Sequence, residues 1–283
     1  MHKLAYLTKF LCFFACTSIM QVSKTEAHDS NGCPIKVDVS NIAKTRDILI
    51  FGEIHGTKEM PEYFGSVICS LVTDKNFVRK ITVLLEHPKS SNDELQEYLK
   101  SDYLSSDNQK LINSSPWNKR LQDGRASVAV LRLVKELGVY KKNYPQLNIQ
   151  AWVDYNAAEK QRNLDSILAR DLTNLYDKDH NSLVILLIGN YHGNSNYSNN
   201  MVSFLDRPYK YYKLVSMRGD SWNCTKSSVT SPLECGINPV RENITVGSDI
   251  TRELPKNVCS PNQGEINVGI LTASKPARIN FEK

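Results

Sequence analysis

Six apolar runs of strand length, separated by stretches of helical periodicity, constrain the fold of this chain more than any other feature. They are residues 47–53 (DILIFGE), 81–86 (ITVLLE), 147–153 (LNIQAWV), 183–190 (LVILLIGN), 211–217 (YYKLVSM) and 266–271 (INVGIL). Several are apolar almost without interruption, the pattern of strands buried on both faces by crossover helices. Residues 58–73, 92–104, 125–137, 157–176 and 199–205 read as those helices. The clearest is 125–137, with Val128, Leu131, Val134 and Leu137 on one stripe, Asp123 placed as an N-cap and Gly138 where a C′ glycine would sit. Such alternation predicts an α/β protein, a Rossmann-like three-layer sandwich around a mainly parallel central sheet. There are no internal repeats or low-complexity tracts. Residues 219–264 are rich in Ser, Thr, Asn, Pro and Cys and read as a loop region tied by disulfides ahead of a final strand.

The first 27 residues have the form of an export signal. Lys3 and Lys9 give a basic start, Phe10 to Met20 is apolar, and Thr25-Glu26-Ala27 offers small residues at the cleavage positions. A competing reading makes Cys16 a lipidated cysteine, but Lys9 interrupts the apolar run and the preceding Phe13-Phe14 suits a lipoprotein signal poorly. Spanning a bilayer takes roughly 20 apolar residues, and no run in the chain reaches that, so no integral membrane segment is expected. A periplasmic or secreted protein follows, with residues 28–283 as one α/β domain. The chain carries 35 basic and 30 acidic residues, and three of the basic and one of the acidic lie in the signal, which takes the net charge from +5 to about +3. Scattered Lys and Arg at so mild a charge argue against nucleic acid as a partner.

Cys12 and Cys16 leave with the signal; Cys33, Cys69, Cys224, Cys235 and Cys259 remain. An oxidising compartment favours one or two disulfides, most readily among Cys224, Cys235 and Cys259, with one thiol left over. Cys69, on an apolar helical stretch with Val67, Ile68 and Leu71, is core unless it pairs with Cys33. Close Cys pairs of the zinc-finger kind are absent, as are a Gly-x-Ser-x-Gly elbow, a phosphate-binding glycine loop and a Cys-x-x-Cys-His haem attachment. Asn113, Asn196, Asn223 and Asn243 stand in glycan-acceptor triplets, meaningful only in a eukaryotic secretory pathway.

In open α/β sheets ligands bind beyond the carboxyl ends of the strands. Three of the runs end in chemistry-bearing residues: Gly52-Glu53-Ile54-His55-Gly56, Leu85-Glu86-His87-Pro88, and Gly189-Asn190-Tyr191-His192-Gly193. Glu53, His55, Glu86 and His192 are therefore the candidate catalytic residues. Paired Glu and His suit two chemistries. A His can take a proton from water while a Glu orients it, or the same four groups can hold a divalent cation such as zinc or manganese. His87 should point away from Glu86, because side chains alternate along a strand. Arg125 is a candidate for binding an anionic substrate or orienting a carboxylate, with Asp123 and Asn190 beside it. Trp117 and Asn118 lie just upstream and are candidates for the same cleft. Haem held noncovalently through His or Tyr stays open as a cofactor.

Taken in order, Gly52-Glu53-Ile54-His55-Gly56-Thr57 with Glu59 and Pro61, Leu85-Glu86, Asp123-Gly124-Arg125 and Gly189-Asn190-Tyr191-His192 resemble the superfamily joining erythromycin-esterase-like hydrolases, Tiki-type metalloproteases and bacterial haem-uptake (ChaN-like) lipoproteins. The similarity spans about residues 46–217. It implies a Rossmann-like sandwich whose strand exits form one cleft, with Glu53 and His55 as the first catalytic or metal-binding pair, Glu86 as the second carboxylate and His192 as the distal imidazole. Within that superfamily the chemistry diverges into His-activated water, metal-dependent peptide cleavage and haem binding. The expectation is thus a hydrolase of ester or amide bonds acting on a small-molecule or peptide substrate, with a haem- or metal-binding uptake protein as the alternative.

Overall fold

The computed structural model describes residues 33–35, 37–38, 43, 47–119, 122–161, 163–194, 199–226, 228, 230–240 and 263–278. The N-terminal stretch that reads as an export signal, Cys259, Asn196 and Asn243 lie outside them. The chain runs β1 (Ile48–Glu53), α1 (Glu59–Thr73), β2 (Lys80–Pro88), α2 (Asn92–Lys100), α3 (Ser105–Ile112), α4 (Val128–Asn143), β3 (Leu147–Val153), α5 (Tyr155–Gln161), α6 (Leu164–Lys178), β4 (Ser182–Gly189), α7 (Asn190–Gly193), β5 (Tyr209–Val215), β6 (Asp220–Thr225), β7 (Glu234–Pro239) and β8 (Gln263–Asn267). Six strands form one sheet in the order β3-β2-β4-β1-β5-β8, every neighbour parallel. A separate antiparallel ribbon joins β6 to β7.

The sheet is buried on both faces, and alternation along each strand splits its residues between two cores. Leu49, Phe51, Val83, Leu85, Ile185 and Leu187 face α1 and α4, while Ile48, Ile50, Leu84, Val184 and Leu186 face α6. That division makes three layers. Each fully buried Leu, Ile or Phe contributes roughly 1.5–3 kcal/mol, which is why so continuous an apolar run is stable only as an inner strand. Cys33 pairs with Cys69, tying the start of the described chain to α1, and Cys224 pairs with Cys235 across the ribbon. Among the described residues, no helix is long and apolar enough to cross a membrane.

Where sequence and structure differ, local chemistry explains the difference. Helix α4 begins after Ser127, whose hydroxyl accepts the Val130 N–H at 3.4 Å, so Asp123 is not its cap and Arg125 is not in its first turn. Gly138 does not end the helix, which continues to Asn143; a Cβ there would sit 2.0 Å from the Tyr103 hydroxyl, so this glycine makes room for a buried ring. The stretch 157–176 divides into α5 and α6 where Asn163 caps the Ser166 N–H at 3.1 Å. Residues 199–205 hold a single 3-10 turn, Met201–Ser203. Helix α3 carries few apolar residues and so has no stripe to mark it in sequence; Asp107 closes its start by accepting the Leu104 N–H at 2.9 Å. The β6–β7 hairpin replaces what reads in sequence as loop, because its strands lack an alternating apolar pattern and are held by the disulfide and by contacts to other loops.

Candidate functional site

Strand order brings the three exits together. Strand β4 lies between β2 and β1, with Leu85 level with Leu187 and Glu53 level with Gly189, so Glu86, Gly189 and Glu53 sit side by side at one rim. Both carboxylates are buried, Glu53 at 5% and Glu86 at 7% exposure. His55 lies between them, its Nδ1 2.9 Å from Glu53 Oε1 and its Nε2 3.5 Å from Glu86 Oε2. A side chain at Gly189 would put its Cβ 3.0 Å from His55 Nε2, so the bare backbone there gives the imidazole its place.

Glu86 is the most heavily anchored group of the rim. Its Oε2 accepts the Gly189 N–H at 2.7 Å and its Oε1 accepts Arg125 Nη1 at 3.0 Å. Arg125 also donates from Nη1 to the Tyr155 hydroxyl at 2.6 Å, and its Nε and Nη2 engage Asp123. Burial opposes ionisation of Glu86, yet the charges of His55, Arg125 and His192 and the Gly189 N–H hold its carboxyl below the usual range. Burial likewise works against charge on His55, but the Glu86 and Glu53 carboxylates outweigh it and push the imidazole up to about 9. At neutral pH this imidazole is a cation.

His87 does point away from Glu86. It is buried, bonds the Arg125 carbonyl through Nε2 at 2.9 Å, and is pulled down to about 4 by desolvation. Trp117 is buried edge-on against the His87 ring at 5.2 Å, and Asn118 donates to the Asn113 carbonyl at 2.7 Å, so both serve the loop's packing.

On the third exit, His192 stands apart from the bonded network of Glu53, His55, Glu86, Arg125 and Asp123. Its Nδ1 lies 2.8 Å from Asp165 Oδ1. Asn190 accepts the Tyr211 hydroxyl through both its backbone and side-chain oxygens at 3.2 Å. Two residues of this region were missed from sequence. Tyr155 lies two positions past the end of β3 and falls under the strand-exit rule once that rule is applied to a fourth strand. Asp165 sits in the first turn of α6, where an acidic residue has a sufficient local reason in the helix dipole, and only its burial at 8% sets it apart.

The donor set does not suit a metal ion. Among the described residues no group of three or more His, Cys, Asp or Glu side chains is arranged to hold one. Both nitrogens of His55 face carboxylates, and both oxygens of Glu86 accept hydrogen bonds. One buried acceptor, Glu53 Oε2, carries no hydrogen bond among the described residues.

The fold and rim together define a parallel α/β sandwich with an acidic and imidazole cluster at the strand ends. No protein-family model matches the chain, and no curated protein does. Solved structures share its fold. An erythromycin esterase, EreC, in its open conformation superposes with a TM-score of 0.52 at 12% identity, over 72% of this chain and 80% of that one. A protein from Bacillus cereus superposes at 0.50 with 9% identity, over 84% and 92%. At such identities the likeness is one of fold: this chain shares its architecture with both structures.

Proposed function

We propose that the protein is an exported hydrolase of ester or amide bonds, working at the Glu53, His55, Glu86 and His192 rim. The observation that carries this reading is the partly buried His55 imidazole held between two buried carboxylates, one of them locked by Arg125 and a backbone N–H. A cation so fixed is preorganised to stabilise negative charge developing on a carbonyl oxygen and to give a proton to the departing group. In the reaction, water loses a proton to a base of the site and its oxygen bonds the carbonyl carbon. The C–O or C–N bond to the leaving group then breaks as that group takes up a proton, yielding an acid and an alcohol or amine. Glu53 Oε2 offers a buried acceptor for the attacking water or a substrate hydroxyl. Arg125 and Asp123 act through Glu86, and Asn190 borders the same exit. The esterase named among the fold neighbours supports the reaction class. Export is supported by the basic and apolar N-terminus and by the two disulfides.

A panel of ester and peptide substrates with wild-type protein and His55→Ala tests the reading. Loss of about 10²–10⁴ in kcat/KM is expected, the usual contribution of a positioned acid or base. Activity unchanged by His55→Ala refutes the assignment of the site.

A further inference from the structure

The hydrolytic reading asks which atom takes the proton from water, and the ring nitrogens answer by geometry. Neither nitrogen of His55 is bare, since Nδ1 faces Glu53 at 2.9 Å and Nε2 faces Glu86 at 3.5 Å. Held as a cation, His55 gives its Nδ1–H to Glu53 and keeps Nε2–H in a looser ion pair with Glu86, so neither nitrogen accepts a proton and the Nε2 proton is the one it can release. His192 differs. Its Nδ1 meets Asp165 Oδ1 at 2.8 Å, and its Nε2 has no hydrogen bond among the described residues. His192 and Asp165 are partly and largely buried, with side-chain exposures of 15% and 12%. They belong to separate elements, His192 to α7 after β4 and Asp165 to the first turn of α6. Asp165 is set there by the capped start of α6, where Asn163 accepts the Ser166 N–H, so the carboxylate is held by a rigid element.

We infer that Asp165 is a positioning residue that fixes His192 with its proton on Nδ1, leaving Nε2 as the atom that accepts the proton of the attacking water. The inference rests on the hydrolase reading and divides its labour: His192 Nε2 removes a proton from water as the water oxygen bonds the carbonyl carbon. His55 returns a proton to the leaving oxygen or nitrogen as that bond breaks, and proton exchange with solvent restores both rings. A carboxylate accepting from Nδ1–H sets the tautomer and stabilises the imidazolium formed after transfer. The groups in contact with the His192 ring are the Asp165 carboxylate from α6 and the neighbouring Tyr191 ring.

Two measurements on the full chain test this. Nitrogen-15 NMR of the histidine rings, assigned by loss of the His192 signal in His192→Gln, reads the tautomer without substrate. The expected result in wild-type protein is a protonated Nδ1 and a bare Nε2, with the preference lost in Asp165→Asn. Kinetics on the best ester of the panel should show kcat lowered about 10²–10⁴-fold in Asp165→Asn with KM changed less than about threefold. Asp165→Glu should recover part of the rate; a merely structural lesion would lower the rate and leave the Nδ1 tautomer in place. A proton found on Nε2 of wild-type His192 overturns the inference, as does Asp165→Asn with kcat within about threefold of wild type. Absence of turnover across the panel in wild-type protein counts against the hydrolase reading instead, and the ring spectrum still decides the tautomer.

Discussion

At the scale of single residues the site is an arrangement of opposed charges in which pairing outweighs the cost of burial. Arg125 is its hinge, because its guanidinium spans Asp123, Glu86 and the Tyr155 hydroxyl at once. The two carboxylates it serves differ in side-chain exposure, 6% for Glu86 and 40% for Asp123. An exposed pair is worth under about 1 kcal/mol, whereas a buried carboxylate left without its partner costs on the order of 3 kcal/mol. Arg125→Met should therefore lower stability by about 3 kcal/mol in urea titration, and Asp123→Asn by less than about 1 kcal/mol. Equal losses for the two would show that Glu86 does not depend on Arg125. The four rim residues were legible in sequence because each follows an apolar run and the strand-exit rule needs nothing else. Asp165 was not, since its pairing with His192 spans 27 positions and no local pattern records it.

At the scale of elements, the sandwich was legible wherever burial imposes a pattern. The inner strands showed as apolar runs because both their faces are covered, and α4 showed as a stripe because one of its faces is. The hairpin follows other rules. Its ribbon is fastened by backbone: the Trp222 N–H donates to the Gly56 carbonyl at 2.8 Å, and the Trp222 indole donates to the Gln122 carbonyl at 2.9 Å. Such bonds leave no trace in hydropathy. They clamp the two loops that present His55 and Arg125, and the clamp needs glycine at both. Gly56 and Gly124 have φ of +71° and +96°; an added Cβ would lie 2.0 Å from the Trp222 carbonyl at the first and 2.4 Å from the Gly56 nitrogen at the second. A non-glycine residue in that backbone region costs about 1–3 kcal/mol before any clash. Gly124→Ala is expected to lose more than about 3 kcal/mol of stability and to reduce activity with it. Gly236→Ala is the control within the same hairpin, for nothing lies within 4 Å of its Cβ, and it should change stability by less than about 0.5 kcal/mol. A tolerated Gly124→Ala would mean that the hairpin does not set the loops.

For the whole molecule, the sheet order is what composition and periodicity left open, and it decides the electrostatics. Only because β4 enters between β2 and β1 do Glu86 and Glu53 come to flank one imidazole. That convergence gives the protein two histidines shifted in opposite directions from one ordinary value of 6.5, His55 to about 9 and His87 to about 4. The folded state binds the His55 proton more tightly than the unfolded chain. Its contribution is therefore complete below pH 6.5 and is lost as pH rises towards 9. His87 is kept neutral by burial, and its protonation is favoured in the unfolded chain. That contribution is complete above pH 6.5 and is lost as pH falls towards 4, where the carboxylate of Glu86 weakens in the same direction. Stability against urea should thus peak near pH 6.5 and decline on both sides. His55→Gln removes the cation, so the decline between pH 6.5 and 9 should flatten while the acid side keeps its slope. An alkaline limb unchanged in His55→Gln would show that the imidazole is not held charged by its two carboxylates, and the role given to it in the reaction would fall with that result.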